Sequence, residues 1–195
     1  MILLIPSVWA QDGSDLIAKL RSRYDTMEAL RASFSQTTTS TYLDETEHFY
    51  GEILLHGDKY WIESGQQTIV TNTETTWVYN RGENQVLIND YELDETTFSL
   101  STFLAEFDTL YSVEDVIRSG DMDVITLVPV DPLSAFRNVT IWAAVDTVVR
   151  IDVVDMNDVE MSVILSDIQF NPEIPDGSFL FSVPEGVEVI DLREN

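Results

Sequence analysis

The stretch from Ala32 to Asp90 constrains the fold most, because its apolar residues recur at every second position between short polar turns. This alternation is typical of strands that bury one face and expose the other. Turns rich in Gly, Asn, Asp and Glu separate the strands that we predict at 33–42, 49–56, 60–63, 68–71, 76–79 and 85–88. The pattern predicts a meandering antiparallel sheet.

Two helical segments accompany this sheet. Residues 14–31 begin with Ser14 as the N-cap and place apolar residues on one helical face, and residues 97–111 repeat that spacing. Strands resume at 124–128, 139–145, 148–154, 161–170, 179–183 and 187–192. An antiparallel sheet of about eleven strands curls, and helices then cover its concave face. We therefore predict a mainly β fold with an α lid (α+β): a curved antiparallel sheet forming an incomplete barrel, covered by the N-terminal helix and the mid-chain helical insertion.

Charge excludes whole classes of partner. The net charge of −25 arises from 35 acidic and 10 basic residues, so a nucleic acid is excluded as a partner. No apolar run reaches 18 residues, and we expect no stable membrane insertion.

The acids are spread along the chain and only two lysines occur, Lys19 and Lys59. This pattern favours a halophilic surface adaptation, with an ordinary acidic protein as the alternative.

The N-terminus indicates export. Residues 1–10 are apolar and end in Val8-Trp9-Ala10, which resembles the small-residue cleavage site of a signal peptide. We expect residues 1–10 to be the remnant of that peptide and residues 11–195 to form one domain. A short first strand is the alternative interpretation of residues 1–10.

The sequence shows no pattern typical of catalysis. It contains no cysteine, nucleophile elbow or phosphate-binding loop. His48 and His56 would lie roughly 26 Å apart on one extended strand, too far apart to share a metal ion. We predict a protein that is not an enzyme and that needs no cofactor or metal.

Five motifs, in order, carry a resemblance to a known family. They are Ala32-Ser-Phe-Ser-Gln36, Gly51-Glu-Ile-Leu-Leu55, the stretch 69–80 with Trp77 and Tyr79, Leu127-Val-Pro129, and the closing Phe179-Leu-Phe-Ser-Val-Pro-Glu-Gly-Val187. Over nearly its full length the chain resembles the bacterial outer-membrane lipoprotein carrier family, LolA.

The resemblance implies a monomeric periplasmic chaperone with a helical lid and a hydrophobic cavity. Such a carrier takes lipoproteins, by their acyl chains, from an inner-membrane ABC transporter to the outer membrane and to an acceptor where one is present. A binder of another amphiphile, such as a glycolipid, and an envelope-stress sensor domain remain alternatives.

Apolar side chains between sheet and lid are the candidate cavity lining. We predict Phe34, Trp61, Trp77, Tyr79, Phe98, Leu100, Phe103, Leu104, Phe107, Leu110 and Ile141. Many LolA members carry an arginine after the second strand that helps to hold the lid. The matching stretch 55–59 has none, so this role is not carried over, and His56 and Lys59 are its only cationic candidates.

Overall fold

The computed structural model describes residues 9–40, 42, 44–91 and 100–193. The predicted signal-peptide remnant therefore lies almost entirely outside the described residues. The elements are α1 (Trp9–Asp25), β1 (Ala29–Ser40), β2 (Glu45–His56), β3 (Lys59–Ser64), β4 (Gln67–Thr71), β5 (Thr75–Asn80), β6 (Gln85–Asp90), α2 (Leu100–Leu110), β7 (Tyr111–Ser119), β8 (Met122–Pro129), β9 (Phe136–Ala144), β10 (Thr147–Asp155), β11 (Val159–Phe170) and β12 (Glu188–Asp191). Neither described helix combines the length and apolar character needed to cross a bilayer.

All the described strands belong to one sheet. Its order is β12-β6-β5-β4-β3-β2-β1-β11-β10-β9-β8-β7. Neighbouring strands are antiparallel except β12, which runs parallel to β6. In the described part of the chain, β7 and β12 do not pair with each other, so the barrel stays open. The predicted fold class, a curved open sheet with two helices, is confirmed.

The first helix ends earlier than predicted. It stops at Asp25 rather than at position 31, and it begins at Trp9, so that Ser14 lies inside the helix and is not its N-cap. The Asn171 side-chain oxygen accepts hydrogen bonds from the backbone N–H groups of Glu28 (2.8 Å) and Ala29 (3.0 Å). Leu30 fits the helical spacing, but it is a strand residue.

The predicted strands differ from the observed ones in two places, one strand missed and one wrongly assigned. The strand β7 was missed, because its exposed residues and a bulge near Val113 hide the alternation. Residues 179–183 were predicted as a strand, but they form no strand and lie in an irregular segment. Positive φ angles at Gly177 (81°) and Gly186 (79°) turn that segment.

The sheet has two differently covered faces. We call the face with Ala32, Ile53 and Ile141 the inner face, because these side chains form one apolar cluster with Leu20 and Phe107 of the helices. Residues paired across strands share a face, so the register assigns each remaining residue to the inner face or to the opposite, outer face.

The irregular segment 172–187 covers the outer face of β2–β6. Its ring contacts there are Phe179 with His56 (centroids 6.3 Å apart) and Phe181 with Tyr79 (5.7 Å). Val70 and Val86, on the outer face, are buried. A smaller apolar layer therefore lies behind the sheet, away from the helices.

We expect the stability of this acidic molecule to rise with ionic strength. Raising NaCl from 10 mM to 0.5 M shortens the Debye length several-fold and weakens repulsion among the carboxylates. Thermal unfolding at matched ionic strength in chloride and sulfate separates screening from the specific effect of the anion. An unchanged or falling Tm in both salts would contradict the halophilic interpretation.

Candidate functional site

Aromatic side chains of α2 lie at the centre of the space between helices and sheet. Phe103 and Phe107 are both buried, and the Phe103 ring centroid lies 6.1 Å from that of Phe107 and 5.7 Å from that of Tyr111. They pack with Leu20 of α1 and with Ile141 of the inner face. We call α1 and α2 together the lid.

The predicted cavity residues divide between the two faces. Phe34, Phe103, Phe107 and Ile141 belong to the inner cluster or pack against it. Trp61 pairs with Val70, and Val70 pairs with Trp77, so both indoles lie on the outer face with Tyr79. These three therefore do not meet the lid. Leu110 is 41% exposed at the end of α2.

The remaining predicted residues are not placed by the structure. Phe98 lies outside the described residues, as do the side chains of Leu100 and Leu104 on α2. Sequence reasoning missed Tyr60 and Ile62, the neighbours of Trp61, which pack against the inner cluster. Ile53, Leu54 and Leu55 are all apolar and buried, so the sequence carries no signal that distinguishes the faces here. Only the register places Tyr60 and Ile62 on the inner face.

Side chains of the lid cover the inner face of β1, β2 and β8–β11. Leu20 and Ile141 are 0% exposed and Phe107 is 2% exposed. Cavities of about 960 Å³ and 640 Å³ lie elsewhere, one between α1, β7 and the β9–β10 turn and one beneath residues 171–180. None of the predicted cavity residues lines either of them. A ligand bound beneath the lid, among these buried side chains, therefore requires the lid to move.

One ion pair joins the two lid helices. Arg21 Nη1 lies 2.6 Å from Asp108 Oδ2, and the Asp108 side chain is only 16% exposed. Arg21 Nε also lies 3.5 Å from Asp25. His56 and Lys59 pair with each other on the outer face, so neither is placed to hold the lid. The cation that joins the helices comes from α1 itself.

The C-terminal end of α1 is anchored to the sheet. The Tyr24 hydroxyl accepts a hydrogen bond from the backbone N–H of Val148 (3.0 Å), and burial raises the pKa of Tyr24 to about 12. The Arg23 guanidinium carbon lies 3.9 Å from the ring centroid of Phe170. These contacts make the Tyr24 end of α1 the fixed end for any lid movement.

Tyr24→Phe is expected to lower the free energy of unfolding by about 1–3 kcal/mol, because the buried Val148 N–H loses its acceptor. The neutral phenol of Tyr24 stabilises the fold below pH 10, and this contribution is lost as pH rises towards 12. Denaturant unfolding at pH 8, 10 and 11 should show a shallower alkaline decline in the variant. Identical declines in the variant and the wild type would contradict the contribution of the raised Tyr24 pKa to the pH dependence. Burial also raises the pKa of Tyr60 and Tyr111, so some decline remains.

Comparison with known proteins decides the family. Residues 25–182 match the family described as outer membrane lipoprotein carrier protein LolA. The chain belongs to the LolA family. The chain is similar to the outer-membrane lipoprotein carrier proteins of three bacteria. The identity is 25% for Methylobacillus flagellatus, over 96% of this chain and 93% of the relative, and 26% for Aeromonas salmonicida, over 98% and 96%. It is 27% for Hahella chejuensis, over 84% of this chain and 82% of the relative.

A solved structure has the same fold at low identity. An uncharacterised conserved protein from Thermus thermophilus aligns with a TM-score of 0.58 at 12% identity, over 93% of this chain and 99% of that protein. At this identity the likeness shows the fold alone.

Two of the LolA-like motifs meet in space. Phe34 of the first motif pairs with Gly51 of the second, and a Cβ at Gly51 would lie 2.9 Å from Phe34 Cε1. It would also lie 1.8 Å from the backbone oxygen of Glu63 on β3. The glycine therefore allows β3 and the Phe34 ring to approach β2 on the inner face.

Proposed function

We propose that the protein is a periplasmic carrier that binds the acyl chains of lipoproteins between its lid and the inner face. It ferries them from the inner to the outer membrane as a monomer, with residues 11–195 as the mature domain. An inner-membrane ABC transporter supplies the cargo, and an acceptor at the outer membrane receives it where one is present. The carrier catalyses no reaction and uses no cofactor.

The observation that carries the proposal is the chemistry of the contact between lid and sheet. Apolar side chains dominate it, and among the described residues the ion pair between Arg21 and Asp108 links α1 to α2. Away from the hydrogen bond between Tyr24 and Val148 at the fixed end of α1, this contact opens by separating apolar side chains. Membership of the LolA family supports the general role of lipoprotein carriage.

Acyl chains supply enough binding free energy to open this contact. Each buried methylene contributes about 0.8 kcal/mol, so two chains offset the loss of aromatic contacts such as those of Phe103 and Phe107. The same balance makes release depend on a partner that offers the chains a more favourable apolar site.

Photocrosslinking locates the acyl chains. A synthetic diacylated lipopeptide with a diazirine on each acyl chain is bound, irradiated and mapped by peptide mass spectrometry. We expect adducts on inner-face residues such as Ile62 and Ile141, suppressed by unlabelled lipopeptide. Trp61 is the matched control, because it neighbours Ile62 on β3 but faces outwards. Competed adducts on Trp61 and Trp77 instead would overturn the proposed binding site.

A further inference from the structure

The inner face changes from apolar and buried to polar and half-buried along β1. Leu30 and Ala32 are each 1% exposed and lie within the apolar cluster. Further along the strand, Phe34 is half-buried, and the next three residues on this face are polar and half-buried: Gln36, Thr38 and Ser40. The apolar surface beneath the lid therefore ends in hydroxyl and amide groups.

Strand pairing adds two carboxylates at this end. Thr38 pairs with Glu47 and Ser40 pairs with Glu45, so both glutamates lie on the inner face, and both are exposed. We call Gln36, Thr38, Ser40, Glu45 and Glu47 the polar rim. Apolar side chains border it, since Gln36 pairs with Phe49 and Thr38 pairs with Met161 on its two sides, and both of these are half-buried.

Positive charge is absent from the sequence around the rim. No lysine or arginine occurs at 32–58, at 82–117 or at 151–192, which include β2, α2 and β11. Arg31 pairs with Leu54 and faces outwards, and His48 pairs with Thr37 on the outer face. Arg137 and Arg81, at the same end of the sheet, are bound to Asp158 and to Glu63, and Arg81 lies on the outer face over the Tyr79 ring.

A carrier that binds acyl chains meets a selectivity problem. Phospholipids carry the same chains as a lipoprotein, so burial of methylenes does not distinguish the two ligands. Discrimination must arise where the ligands differ, at the polar end, and repulsion of the wrong ligand is one way to obtain it.

We propose that the polar rim selects for a peptide head group and against a phosphate head group. The proposal rests on the proposed function. Gln36 Nε2 donates to Thr38 Oγ1 (3.2 Å), so the Gln36 amide oxygen and the Thr38 hydroxyl proton are the groups that pair with peptide N–H and C=O groups, and Glu45 and Glu47 attract an ammonium group. A phosphodiester at the same place meets two carboxylates and no cation to compensate its charge.

The test is a charge reversal with a matched control. Glu45→Lys/Glu47→Lys reverses the rim, and Glu52→Lys/Glu160→Lys makes the same change in net charge at exposed outer-face positions of β2 and β11. Each protein is offered a diacylated lipopeptide with a free amino group and phosphatidylglycerol with the same acyl chains. Native mass spectrometry gives the ratio of the two complexes.

We expect the wild type and the outer-face variant to favour the lipopeptide by about tenfold or more, and the rim variant to lose that preference. An equal change in both variants would overturn the proposal, since net charge alone would explain it. A wild type that binds both ligands equally well would also overturn it while leaving acyl-chain carriage intact. A wild type that binds neither ligand would overturn the proposed function, and this inference with it.

Discussion

Gly51→Ala is expected to lower the free energy of unfolding by about 3 kcal/mol or more, the upper end of the range for overpacked sites. The added Cβ would lie 1.8 Å from the Glu63 backbone oxygen, which belongs to a paired strand and cannot rotate away. For a chain of this size, the Tm should fall by roughly 6–12 °C, measured by circular dichroism.

Gly65→Ala is the matched control for this substitution. Its Cβ meets no heavy atom within 4 Å, so the variant should unfold within about 0.5 kcal/mol of the wild type. Adding Phe34→Ala to Gly51→Ala should not restore stability, because the clash with the backbone oxygen remains. Equal tolerance of alanine at both glycines would contradict the close approach of β3 to β2.

Arg21→Asp is expected to speed the uptake of an acyl probe by about tenfold, equivalent to about 1.4 kcal/mol. The change removes the ion pair between the lid helices and sets a further carboxylate beside Asp25 and Asp108. Because the Asp108 side chain is mostly buried, the repulsion is only partly screened by water. Stopped-flow fluorescence with a dansylated fatty acid measures the rate.

A variant with the two charges exchanged separates the effect of the Arg21–Asp108 ion pair from a general effect of charge. Arg21→Asp/Asp108→Arg restores opposite charges on α1 and α2 and should return the rate to within about threefold of the wild type. Arg31→Asp makes the same charge change on the outer face and should leave the rate unchanged. If it accelerates uptake as much as Arg21→Asp, the Arg21–Asp108 pair does not hold the lid.

The sequence predicted the strands of the sheet well where short turns separate them. Alternation and turn residues located β3 to β6 within one or two residues, because each of these strands pairs with its neighbour in sequence. The edge strand β7 lacks a clear alternation, since most of its residues are exposed. Phe179 and Phe181 do alternate, but they pack onto the outer face without strand pairing.

The facing of aromatic residues could not be predicted from the sequence. Trp61 and Ile62 are both apolar, and a shift of one residue in register exchanges their faces. Apolar side chains lie on both faces of these strands, since Ile62 packs against the lid cluster while Val70 and Val86 are buried on the outer face, so apolar character does not distinguish the two faces. The ion pair between Arg21 and Asp108 joins helices far apart in sequence, and only their packing reveals it.

Native mass spectrometry with a diacylated lipoprotein and its delipidated twin tests the central claim most directly. The protein is held in high salt with each form and then exchanged into a volatile buffer for spraying. The account predicts a one-to-one complex with the lipidated form alone. A complex of equal abundance with both forms, or with neither, would contradict carriage of lipoproteins by their acyl chains.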